Sequence, residues 1–107
     1  MKTELTIEES AKLVELGVYP EWAKPIVERG GTPVIKFEDI LGLMPKEIWA
    51  EDLLESLLIF WNDKQKGWSA HYPFVGAPKI AEPELIDALY KLLVWSIESK
   101  VYEQREL

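Results

Sequence analysis

The sequence predicts an α+β domain in which about three helices pack on a small antiparallel β-hairpin or sheet, and three observations point to it. Thr6 and Glu9 stand three residues apart at the head of a run with helical apolar spacing. A longer apolar stripe, Leu85, Ile86, Leu89, Leu92, Leu93 and Ile97, marks a second helix near the other end. Between them, two β-prone stretches flank the polar tract 62–67, the pattern of a hairpin. A chain of 107 residues with 48% apolar side chains builds one core rather than two, so residues 1–107 read as a single acidic domain.

In chain order, the Thr6 and Glu9 side chains can each accept the other residue's free backbone N–H, which starts a helix over 7–16. Ile7, Ala11 and Val14 share one face, and Gly17 stands where a left-handed cap ends a helix. Pro20 suits the start of a second, weak helix, because Pro25 deep in a helix would remove a hydrogen bond and clash with the preceding turn. Arg29 to Pro33 reads as a loop. Phe37, Ile40, Leu41 and Met44 have helical spacing again, with Glu38 and Asp39 at the positive end of the dipole and Pro45 as the stop.

Periodicity leaves 48–56 open between helix and strand: Trp49, Leu53 and Leu57 fit a helix, whereas Leu57 to Trp61 read as a buried strand. Turn residues after Trp61 and the aromatic-rich 68–72 stretch favour a hairpin across 56–73. Pro73, Gly76 and Pro78 make 73–81 a connection, and Pro83 suits the first turn of a helix over about 83–99. Val94 and Trp95 broaden that helix's apolar surface beyond one face, which predicts central packing or contact with a partner; the same surplus is compatible with a homodimer.

Composition excludes several chemistries. Without cysteine there are no disulfides, thiolate metal sites or cysteine nucleophiles. No apolar run is long enough to cross a membrane, and the first residues lack the apolar core of a signal peptide, so a cytoplasmic location is expected. The net charge of −7 opposes direct binding to a phosphate backbone. Glu38, Asp39, Glu47, Glu51, Asp52 and Glu55 against Lys46 form an acidic window; it reads first as a solvated face, and second as a docking surface for a basic partner or a nucleic-acid mimic.

Candidate chemistry is sparse. His71 is the only histidine, and in an extended strand it shares a side with Ser69; with Tyr72 these residues make up the one catalytic reading, against a structural or surface histidine. No nucleophile elbow accompanies them. Glu51, Asp52 and Glu55 lack the alternating ligands of a calcium loop, and no metal or cofactor site is assigned. Five tryptophans, Trp22, Trp49, Trp61, Trp68 and Trp95, exceed what a core this small needs; most are expected in the core, with one or two anchoring a partner.

Three segments in combination carry a resemblance: Thr6 to Gly17 with its Leu16, Gly17, Val18 end; Phe37 to Ile48 with Pro45, Lys46, Glu47 and Ile48; and Glu84 to Tyr90 followed by Trp95. Together they cover about half of the chain and look like small uncharacterised proteins of prophages and mobile elements of gut bacteria. The resemblance implies strands after the Pro-Lys-Glu-Ile segment and a phage or mobile-element setting, and it transfers no functional residue. The combined expectation is a non-enzymatic accessory protein that binds a host or phage protein, with a small enzyme at Ser69, His71 and Tyr72 or an acidic nucleic-acid mimic as alternatives.

Overall fold

The computed structural model describes residues 1–50, 52–73 and 76–105. The first helix, α1 (Ile7–Glu15), forms where the capping pair predicts it: Glu9 N–H donates to Thr6 Oγ1 at 3.1 Å and Thr6 N–H to Glu9 Oε1 at 2.9 Å. Gly17 takes φ +78°, the left-handed cap. A 3-10 turn (Glu21–Ala23) then runs into α2 (Lys24–Glu28), where Pro25 is tolerated because it falls in the first turn. The helix α3 (Phe37–Leu43) begins with Lys36 N–H donating to Asp39 at 3.0 Å and ends as Met44, ahead of Pro45, turns extended.

Of the ambiguous 48–56 stretch, residues 48–50 and 53–56 are strand, Asp52 is a turn residue, and Glu51 lies outside the described residues. β1 (Glu47–Ala50) pairs antiparallel with β2 (Leu53–Ser56), Trp49 opposite Leu54 and Ile48 opposite Glu55. Ile48 is fully buried, and Leu57 packs against the core after its N–H donates to Lys46 O. The helical spacing of Trp49, Leu53 and Leu57 is thus overridden by tertiary pairing, as short apolar runs allow.

The predicted hairpin forms from β3 (Leu58–Asn62) and β4 (Gly67–His71), closed by Asn62 opposite Gly67. Asn62 Oδ1 accepts from Gln65 N–H inside the turn, the side-chain mimicry of a backbone turn that Asn favours. A third strand, β5 (Ile80–Glu82), lies within and just beyond the stretch read as a connection, so the sheet has the order β3–β4–β5. Its three residues are too few to show alternation, and the prolines nearby masked it. Extended geometry through Glu82 also delays the last helix, α4 (Leu85–Glu98), by two residues.

Among the described residues these elements make an α+β fold of four helices and two small antiparallel sheets, rather than about three helices on one. The packing differs in detail from expectation. α4 lies against β4, β5 and α3, while α1 is tied in through the amino-terminal segment and Leu13. That segment runs antiparallel to residues 35–37, with Leu5 N–H donating to Ile35 O and Phe37 N–H to Thr3 O. Lys2 Nζ bridges Glu9 of α1 at 2.9 Å and Asp87 of α4 at 2.6 Å. One contiguous core results, from Leu5 to Leu93, with Tyr102 of a closing 3-10 turn (Val101–Gln104) packed on its margin.

The core is aliphatic. Leu13, Ile35, Ile40, Ile48, Ile86, Leu89, Leu92 and Leu93 are fully buried together with Tyr72, whereas no tryptophan among the five is. The expectation that most indoles line the core is therefore corrected: Trp22, Trp49 and Trp61 are exposed, and Trp68 and Trp95 are half-buried. Bulky rings that also need an N–H partner fit the margins better than a thin core, and the molecule is only 18 Å across its short axis.

Candidate functional site: an exposed apolar sheet surface beside a polar cleft

Alternation along β4 divides the catalytic candidates between two faces. Ala70 and Tyr72 point to the core under α4, fully buried. Ser69 and His71 share the reverse face, as predicted, and line a cavity of about 290 Å³ with Phe60, Asn62, Gln65 and Lys79. The His71 ring meets Phe60 edge-on, centroids 5.8 Å apart. No hydrogen bond joins Ser69 to His71, and no carboxylate lines the cavity, among the described residues. Tyr72 Oη instead donates to the buried Pro45 O at 2.5 Å, and desolvation, aided by Tyr102, pushes its pKa well above the tyrosine range. Its role is structural: a core ring whose one polar atom is satisfied. The cavity thus collects a serine, a histidine and a lysine without the base-orienting partner that nucleophilic catalysis uses.

The acidic window is likewise dispersed. Asp39 is engaged by Lys36 N–H and by Trp22 Nε1 at 2.9 Å. Glu47 and Glu55 occupy successive rungs of the β1–β2 ladder, opposite Ser56 and Ile48, and so leave opposite faces. Asp52 is exposed at the turn, and Glu51 lies outside the described residues. No cluster of histidine and carboxylates able to hold a metal occurs among the described residues. Among them, too, no helix is long and apolar enough to cross a membrane.

What the structure does assemble is apolar surface. Of the twelve exposed large hydrophobic residues among those described, seven lie between 49 and 61: Trp49, Leu53, Leu54, Leu58, Ile59, Phe60 and Trp61. The cause is positional. α4 covers β4 and β5, so β3 overhangs with both faces open. Leu58 and Phe60 leave one face, Ile59 and Trp61 the other, at exposures from 37% to 45%. Trp61 is steadied by Trp68 directly across the ladder, rings edge to face at 5.6 Å. The neighbouring hairpin adds Trp49 opposite Leu54, also exposed. Four of the five residues read from sequence as a buried strand, Leu58 to Trp61, are therefore exposed, and only Leu57 packs on the core; an uncharged apolar run carries no mark of whether anything covers it.

The apolar surplus of α4 is mostly absorbed. Val94, Trp95 and Tyr90 pack on the core margin and leave a shallow depression of about 430 Å³ with Lys91, Glu98 and Ser99. Ser96, the polar break in the stripe, is buried and donates to Leu93 O at 2.7 Å. In comparisons with known proteins, no family model, curated protein or solved structure matches this chain.

Proposed function

We propose that this protein is a non-enzymatic accessory domain that acts in the cytoplasm and binds a host or phage protein through the apolar faces of residues 49–61. The observation that supports this reading is β3, apolar on both faces and open on both. Contiguous apolar surface of this kind marks contact sites rather than ordinary solvated surface, and aromatic side chains dominate such contacts. The phage or mobile-element setting rests on the resemblance of the 6–17, 37–48 and 84–95 segments alone. Against the enzyme reading stands the division of Ser69 and His71 from Tyr72; against a nucleic-acid mimic stands the scatter of Glu47 and Glu55 over two faces.

The test is affinity capture with the wild-type chain, Leu58→Lys and Trp61→Lys, one substitution on each face of β3. A stoichiometric partner held by the wild type and lost by at least one variant is expected. Capture that is equal for all three chains, or absent from the wild type, overturns the proposal.

A further inference from the structure

The faces of β3 are half of what it exposes; the other half is its edge. In the order β3–β4–β5, β3 is an outer strand, and among the described residues no backbone hydrogen bond reaches its outward side. Proteins blunt such edges with charge, proline, bulges, shortness or cover. The other edges use these devices: β5 has only three residues and runs into Pro83, β1 is capped by a bridge from Ile48 to Arg105, and β2 is four residues long and carries Glu55. β3 uses none. Its five residues, Leu-Ile-Phe-Trp-Asn, carry no charge and no proline, and their register with β4 is unbroken.

The charges that flank this edge have opposite signs. Asp52 and Glu55 precede β3, and Lys64 and Lys66 follow it in the turn to β4. Lys66 contacts Asp63 at 3.1 Å in a largely exposed pair of little strength, while Glu55 and Lys64 have no ion-pair partner among the described residues. An antiparallel partner of the same sequence would set the acidic end of one copy beside the basic turn of the other, twice, by symmetry.

We infer that β3 pairs edge to edge with β3 of a second copy, forming a twofold dimer with one continuous six-stranded sheet. A twofold axis through an antiparallel ladder must pass through a pair of identical residues facing each other. Only Phe60 on the axis pairs all five residues: Leu58 then faces Asn62 of the second copy, and Ile59 faces Trp61. The dimer also joins the apolar faces of the two β3 strands into one surface, so the inference deepens the binding reading above and rests on the same strand, but uses its edge instead of its faces.

The geometry gives a sharp test because the chain has no cysteine of its own. Residues facing each other across an antiparallel ladder have Cα atoms about 4.5–5.5 Å apart, inside the disulfide range. Leu58 and its symmetry mate lie four residues apart along the strand, roughly 13 Å, outside that range. Under mild oxidation Phe60→Cys should crosslink to a covalent dimer, while Leu58→Cys, Asn62→Cys and the exposed control Val34→Cys form no covalent dimer. Light scattering of the wild-type chain over a range of concentrations should show a dimer, at about 0.15 M salt so that the −7 charge of each copy is screened beyond roughly 8 Å. Reversing Lys64→Glu and Lys66→Glu should raise the dimer dissociation constant several-fold, and adding Asp52→Lys and Glu55→Lys should restore it. A wild-type chain that stays monomeric at millimolar concentration overturns the inference, as does a dimer that Phe60→Cys does not lock. Partner capture by a strictly monomeric chain would leave the binding reading standing and this one refuted; a locked dimer that captures nothing would do the reverse.

Discussion

Replacing Tyr72 by phenylalanine removes one oxygen from the middle of the core and leaves the ring in place. That oxygen donates to Pro45 O at 2.5 Å, and no other described group donates to this buried carbonyl. The variant therefore strands an acceptor, which costs about 1–3 kcal/mol, rather than merely losing a hydrogen bond exchanged with water. With a urea m-value of about 2 kcal/mol/M, a 2 kcal/mol loss moves the unfolding midpoint down by about 1 M. The same phenol sets a pH dependence. Burial raises its folded-state pKa above the ordinary value of about 10, so between these values the unfolded chain has lost a proton that the folded chain keeps. The stabilisation is present in full below the ordinary value and declines as pH rises beyond it, by up to about 1.4 kcal/mol per pH unit. Tyr90 is also raised, by desolvation first and then by Glu9 and Glu98, but it titrates in both proteins and drops out of the difference. Urea unfolding of both proteins at pH 7, 9, 10.5 and 11 should show a gap of about 2 kcal/mol at neutral pH that closes by about 1.4 kcal/mol by pH 11. A gap below about 0.5 kcal/mol at pH 7, or one constant from pH 9 to 11, would refute the argument.

Three further outcomes follow from close contacts and charge. A Cβ on Gly67 would sit 2.8 Å from Glu82 O and 3.0 Å from its carbonyl carbon, against backbone that cannot step aside, so Gly67→Ala should cost about 1–3 kcal/mol as β5 is pushed off β4. Gly42→Ala, with nothing within 4 Å of its new carbon, should instead gain about 0.5–1 kcal/mol in α3; thermal unfolding of the pair checks both signs. Burial alone would raise the Glu9 carboxyl, but hydrogen bonds from Lys2 and from Thr6 N–H outweigh it and hold the group below the usual carboxylate range. Its stabilisation is complete above that range and is lost as pH falls through the lowered folded value; in Lys2→Ala an NMR titration should find the Glu9 midpoint moved upward.

The local elements were legible because their causes are local. The Thr6 and Glu9 pair, the Gly17 cap, the Pro45 stop and the 62–67 turn each work through neighbours within a few residues, and each appears as read. The α4 stripe was equally plain, since a periodic apolar face predicts burial whatever it packs on. What resisted reading depends on partners distant in sequence. Residues 48–50 and 53–56 satisfy helical spacing and become strand because β1 pairs with β2 and with Arg105 near the other end of the chain. β5 exists only because β4 offers it an edge. The candidate site divides along the same line. Alternation was enough to put Ser69 and His71 on one face, yet the turning of Tyr72 to Pro45, 27 residues away, took the packed core to decide.

By itself the sequence determined the α+β class, the capped first helix, the apolar stripe of α4, the central hairpin and the lack of cysteine, because composition, turn residues and short-range hydrogen bonds act before any tertiary contact forms. Only the tertiary structure decided which apolar residues stay outside. Leu58, Ile59, Phe60 and Trp61 are as hydrophobic as the core they were read to join, and they are exposed because α4 is seated over β4 and β5 and reaches no farther. Burial belongs to the arrangement of layers and not to the residue, and on that arrangement rest both the proposed partner surface and the proposed dimer edge.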